Sequence, residues 1–247
     1  MNNPYSEVNA SQNRAIEVLM NLGYIYLDSN EVNQMRRSMS SVILEDVLRA
    51  KLKELNKYEY RDKLYPFSDK NIEQAIKDLD VPLVDGLIKT NEKIYDLLLL
   101  GKSYEEVIPE EGVKRSFSLH YIDWENIKNN VFHVTKEFVV DRMNGKGTVR
   151  PDIVCFVNGI PFAVIECKNP HVSINQAISQ MIRNQGTEYI PQLFKFVQAV
   201  LAMNKNEVKY GTSGTSAKFW SVWKEEAAPE YEAIGQSVVP YRIPTVQ

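Results

Sequence analysis

Arg150-Pro151-Asp152-Ile153-Val154-Cys155-Phe156-Val157-Asn158-Gly159-Ile160-Pro161-Phe162-Ala163-Val164-Ile165-Glu166-Cys167-Lys168 decides the fold. Residues 152–157 and 162–167 are apolar runs rich in valine, isoleucine and phenylalanine, the composition of strands buried on both faces. Asn158-Gly159 between them is a hairpin signal, because both residues tolerate positive φ. On a strand the side-chain period is two, so Glu166 and Lys168 project from one face while Cys167 points to the other. The fold-back through Asn158-Gly159 can bring Asp152, at the start of the preceding strand, beside them. Three ionisable groups then converge at the end of an apolar sheet.

Working outward, residues 131–140 read as a further strand before this pair. An amphipathic helix follows over residues 173–184, then apolar runs at 194–203, 208–211 and 219–223. Strands, helix, strands in that order predict a mixed sheet with a helix packed on it. The earlier part has a different texture. Ala15, Ile16, Val18, Leu19 and Leu22 follow the polar start Ser11-Gln12-Asn13 and predict a helix over 11–22, ended by Gly23. The helical period returns at 40–55 and more briefly at 72–79 and 87–100. The nearest thing to a linker is the polar turn Pro109-Glu110-Glu111-Gly112. The expected class is therefore mixed α/β, a central mixed sheet flanked by helices, with three segments. Residues 1–129 form a mainly helical part whose first helix belongs with the core, 130–224 the core itself, and 225–247 a C-terminal segment.

An apolar share of 44% suits an ordinary globular core, and the formal net charge of -3 argues against a chain that coats nucleic acid. The average hides an asymmetry. Residues 1–130 carry 17 basic against 22 acidic side chains, whereas residues 131–224 carry 11 against 6. The positive part is the one a polyanionic substrate requires. No stretch approaches the roughly 18 apolar residues of a membrane span, and the start lacks a secretory pattern, which predicts a soluble intracellular protein. Cys155 and Cys167 lack zinc-site spacing and read as reduced core residues.

Two carboxylates about 4 Å apart repel by on the order of 4 kcal/mol at an effective dielectric near 20, so Asp152 and Glu166 need compensation. A divalent cation supplies it. Oxygen-only ligation by Asp152 and Glu166, with the backbone carbonyl of Cys167, suits Mg2+, for which Mn2+ can substitute. Such an ion activates water and offsets charge on a phosphodiester under attack, and Lys168 is placed to hold that water or the phosphate. A glycosidase also uses two carboxylates and needs no metal, but the lysine two residues after Glu166 and the basic charge of this region speak against it.

Pro151-Asp152 with Glu166-x-Lys168 resembles the PD-(D/E)xK nucleases. Within that group, the stretch from Arg150 to Pro170 is similar to the N-terminal nuclease domain of the restriction subunit of type I restriction-modification enzymes. The resemblance extends through 176–184 and 194–211 and more loosely back to the first helix. It implies a restriction-endonuclease-like fold, Mg2+ as cofactor, Asp152, Glu166 and Lys168 as the catalytic centre, and cleavage of double-stranded DNA. The group's Gln-x-x-x-Tyr signature is met by Gln185 and Tyr189, which it associates with DNA contact and with keeping the site productive. Methylation and specificity subunits are the implied partners, and the prokaryotic cytoplasm the implied location. Complete subunits carry an ATP-driven motor after the nuclease. These 247 residues contain no GxxxxGK[ST] loop, so ATP binding is expected of the full-length subunit and not of this chain.

Other side chains have two readings. Arg150, with Arg142 and Lys146 around Gly145 and Gly147, can clamp a phosphate backbone or can be ordinary loop chemistry. Glu7 and Glu17 are candidates for an additional acid, although Glu17 also fits a solvated helix face. His171 reads as a solvated turn residue, and Trp220 and Trp223 as aromatic core rather than a base-stacking platform. The competing function is a domain that keeps the nuclease fold only to dock subunits or DNA. Its mark is a broken Asp-Glu-Lys triad, and here the triad is intact.

Overall fold

The computed structural model describes residues 4–169, 171–204 and 206–224; the predicted segment 225–247 lies outside them. The chain opens with helix α1 (Pro4–Asn21) and strand β1 (Ile25–Tyr26), followed by α2 (Ser29–Gln34) and α3 (Glu45–Leu55). Hairpin β2 (Lys57–Tyr60) and β3 (Lys63–Pro66) leads to α4 (Asp69–Leu79) and α5 (Leu87–Leu100), and a second hairpin pairs β4 (Lys102–Val107) with β5 (Lys114–Leu119). Then come β6 (Phe132–Lys136), the short pair β7 (Val140–Asp141) and β8 (Thr148–Val149), β9 (Ile153–Val157) and β10 (Ile160–Cys167). Helices α6 (Ile174–Asn184) and α7 (Pro191–Phe194) precede β11 (Ala199–Met203), β12 (Val208–Gly211) and β13 (Ser221–Val222).

Among the described residues the central sheet has seven strands, in the order β1-β6-β9-β10-β11-β12-β13. Its β1–β6 and β10–β11 pairs are parallel and the others antiparallel, so the sheet is mixed as expected. The parallel β10–β11 pair requires a crossover, and α6 with α7 supplies it. Both faces are covered. On one, Ala15 and Ile16 of α1 pack with Val134, Ile153, Cys155, Ile165 and Cys167. On the other, Val154, Phe156 and Val164 join Ile174, Ala177, Ile178 and Met181 of α6 in a core that continues through Leu44, Leu48, Ile72 and Ile94 of the N-terminal part. That double coverage is why β9 and β10 read as unbroken apolar runs.

Several sequence expectations are corrected. The strand expected over 131–140 is interrupted after Lys136, where Glu137 adopts φ 54°. The mainly helical first part also holds two hairpins, and the polar turn at 109–112 joins β4 to β5 and is no linker. In β4 the covered position after Tyr104 is held by Glu106, which accepts from Ser68 and Asn71, and a glutamate there breaks the period-two pattern. The run 194–203 divides between α7 and β11. Cys155 and Cys167 are free and buried, as expected.

Candidate active site

Register positions the site. Asn158 and Gly159 turn the chain with φ 52° and 83°, and β9 pairs with β10 from Val157–Ile160 onward. Five residues separate Asp152 from the turn but six separate the turn from Glu166. A regular hairpin would therefore set these acids on opposite faces. The register shifts by one between Pro161 and Ala163, so the ladder runs Val164↔Val154 and Ile165↔Ile153. Continued one step, it sets Asp152 opposite Glu166. Proline has no N–H to give a ladder, and a bulge is where a strand tolerates it.

Glu166 is 1% exposed. Its Oε1 accepts from Lys168 Nζ at 3.1 Å, and Lys168 also donates to Gln180 Oε1 of α6 at 2.9 Å. Glu166 Oε2 is buried with no N–H or hydroxyl donor, and its carboxyl meets that of Asp152. Asp152 is half-buried. Its Oδ2 accepts from the Cys167 N–H at 2.7 Å, and its Oδ1 from Gln12 Nε2 of α1 at 3.0 Å. Burial, and next the charge of Asp152, push the Glu166 carboxyl up to about 8; burial raises Asp152 against the opposing pull of the Cys167 N–H and Lys168. Two acids that meet each other in a buried place, with one ammonium paired to Glu166, form an oxygen-only donor set short of positive charge. Among the described residues no group of three or more histidine, cysteine or acidic side chains is arranged to hold a metal ion, so any ion here would rest on two acids.

The sequence profile of a family described as type I restriction enzyme R protein N terminus matches residues 4–219. The chain belongs to that family. Relatives of this R protein N terminus include the MjaIXP type I restriction enzyme endonuclease subunit of Methanocaldococcus jannaschii, 30% identical over 86% of this chain and 20% of the relative. The HindI type I endonuclease subunit of Haemophilus influenzae is 24% identical over 85% of the chain and 19% of the relative, and the EcoprrI subunit of Escherichia coli 26% over 81% and 56%. The chain thus spans about a fifth of the length of the first two.

In this R protein N terminus the remaining candidates are placed as follows. The group of Cys167 that meets Asp152 is its N–H. Gln185 turns inward: its Nε2 donates to Met181 O at 3.2 Å and its Oε1 accepts from Gly214 N at 2.7 Å, which ties the end of α6 to the loop after β12. Tyr189 lies between two cations, with the Arg142 and Arg183 guanidinium carbons 4.9 and 5.4 Å from its ring centroid. Arg150 is exposed and pairs loosely with Glu137 at 3.7 Å. Glu17 is exposed, Trp220 is buried, and Trp223 is exposed against Tyr210. Nothing is described of the Glu7 side chain.

A groove of about 710 Å³ runs along α6, lined by Lys168, Asn169, Gln176, Ser179, Gln180 and Arg183 among others, with neither Asp152 nor Glu166 in its wall. A larger one of about 820 Å³ lies against Arg142, Gly145 and Gly147, but Lys195 in its wall is already paired with Asp80 at 2.6 Å. The smaller groove shares Lys168 with the acids, since the ammonium in its wall donates to Glu166. Gln12 and Gln180 were not singled out in the sequence. Gln12 does have a signal: with Ala15, Ile16 and Leu19 it completes the buried stripe of α1, where the pattern expects an apolar residue.

Proposed function

We propose that this region is the nuclease centre of a type I restriction enzyme, hydrolysing phosphodiesters of double-stranded DNA with a bound Mg2+ or Mn2+ ion. One observation carries the reading: a carboxyl group 1% exposed meets the carboxyl of a second acid, an arrangement that needs a proton or a cation between the two. Leaving a buried acceptor unsatisfied costs roughly 1–3 kcal/mol, more when charged, and a divalent cation removes that penalty together with the repulsion of the pair. Asp152 and Glu166 would hold the ion, and nothing but oxygen is offered, which suits a hard cation.

When bound, such an ion acidifies water and offsets charge that builds on the phosphoryl oxygens. The chain's own groups do the rest. The Cys167 N–H keeps one Asp152 oxygen turned toward the end of β10. Lys168, held by Glu166 and Gln180, presents the remaining donor capacity of its ammonium to a water or to the scissile phosphate. The α6 face along the smaller groove, polar and ending in Arg183, suits a phosphate backbone. Arg142 and Arg183 about Tyr189 add positive charge beside it. In the complete enzyme we assign sequence recognition and methylation to partner subunits and ATP-driven movement to a motor in the full-length R subunit.

Nicking of supercoiled plasmid by the 247-residue chain tests this. Nicking that requires Mg2+ or Mn2+, stops with chelator and is lost in Glu166→Gln supports the reading. Nicking that survives chelator or Glu166→Gln contradicts it. Duplex binding with neither metal binding nor nicking would favour a docking module.

A further inference from the structure

Gln12 stands where the buried stripe of α1 meets Asp152. It is 3% exposed; its Nε2 donates to Asp152 Oδ1 at 3.0 Å, and its Oε1 is buried with no hydrogen-bond partner. An amide inside an apolar stripe is costly unless both ends are used. The orientation is set by charge, because turning the amide over would aim its oxygen at a carboxylate. The helix that carries it is anchored nearby: Lys136 of β6 donates to Asn13 Oδ1 at 3.1 Å, and Ala15 and Ile16 pack on β9 and β10. Gln12 Oε1 therefore lacks a donor, and Glu166 Oε2 faces no donor besides the carboxyl of Asp152, which both side chains meet.

We propose that Gln12 is a positioning residue of the metal centre: its Nε2 fixes the rotamer of Asp152, and its Oε1 accepts from the water shell of the divalent cation. This rests on the nuclease reading above. It brings α1, from the opposite layer to α6, into the site, so that the acids at the sheet end are held from both faces. A cation that keeps several of its waters needs oriented acceptors around it as much as direct ligands.

Calorimetric titration of the metal-free chain with Mn2+, beside its melting temperature, tests the assignment. Gln12→Met keeps the volume and removes both polar atoms. Loss of a residue that supports ligands typically weakens metal binding 10- to 100-fold, so its Mn2+ affinity should fall about 10-fold or more while its metal-free melting temperature does not fall. Unchanged affinity, or a lowered melting temperature with affinity intact, would make Gln12 a packing residue and overturn the proposal. Gln12→Glu gives an independent reading. It keeps an oxygen but sets a third acid against Asp152, so its metal-free melting temperature should drop and Mn2+ should raise it by more than in the wild type. A Gln12→Glu protein that matches the wild type with and without Mn2+ overturns the proposal as well. If the wild type itself binds no Mn2+, the nuclease reading fails first; a wild type that binds alongside an indifferent Gln12→Met sinks only the role of Gln12.

Discussion

Glu166 combines a carboxyl group with almost complete burial, and its pH response follows from that. Its pKa in the folded protein lies at about 8, above the ordinary carboxylate value of 4.5. Between those values the folded protein binds more protons than the unfolded chain, so stability falls as pH rises. The metal-free protein should therefore melt at progressively lower temperature from about pH 5 to pH 8. Glu166→Gln should lose that contribution, while His133, held below its ordinary value by burial, acts with the opposite sign in both proteins; a Glu166→Gln protein whose melting temperature follows the wild-type pH dependence would refute the assignment. Lys168 makes a different prediction. If its ammonium holds water or phosphate, Lys168→Ala should reduce plasmid nicking by roughly 10²–10⁴-fold while leaving Mn2+ affinity at or above the wild-type value. Gln180→Ala, which removes one of the two acceptors of Lys168, should lower nicking less. The three ionisable residues were legible because strand period and a turn signal speak directly about faces. Gln12, Gln180 and the inward turn of Gln185 were not, since an amide's role depends on partners from elements far away in sequence.

The hairpin of β9 and β10 is the element on which the geometry depends. Asn158 is fully buried at φ 52°, its Oδ1 accepting from Val131 N and its Nδ2 donating to Tyr121 O and Asn130 Oδ1. Gly159 at φ 83° accepts from Leu44 N, and a Cβ there would meet Leu44 O at 2.5 Å. The turn is thus also the seat on which the start of α3 docks. Gly159→Ala should destabilise the protein by about 2 kcal/mol or more and Asn158→Ala by roughly 2–3 kcal/mol, read from denaturant midpoints; near-neutral effects at both would contradict this account of the turn. The hairpin itself was readable from Asn-Gly. The bulge was present in the spacing too, as unequal arms with a proline in the longer one, but it becomes compelling only when both acids are required to share a face. The β2–β3 hairpin was missed because its strands are four residues long, and β4–β5 because Glu106 stands at a covered position where period two expects an apolar residue.

At the scale of the molecule, the N-terminal helices and the sheet share a single larger core. It runs from Leu27 through Leu48, Ile94 and Phe156 to Trp220. Unfolding should accordingly be one cooperative transition, and residues 130–224 produced alone should lack it; two separate transitions in calorimetry would show that the parts are independent. Fold class was legible from the order of strand and helix signals. How closely the first part is built into the core was not, because burial of Leu44 or Ile72 depends on contacts between elements that no local period reports.

The central claim, that Asp152 and Glu166 form a divalent-cation site, is tested most directly by calorimetric Mn2+ titration of the wild type and Asp152→Ala at pH 6 and pH 8. Binding of an ion must displace the proton that burial keeps on Glu166. The wild type should therefore bind more tightly at pH 8 than at pH 6, with proton release at the lower pH, and Asp152→Ala should not bind at either. Equal binding by Asp152→Ala, or no binding by the wild type with or without duplex DNA, would contradict it.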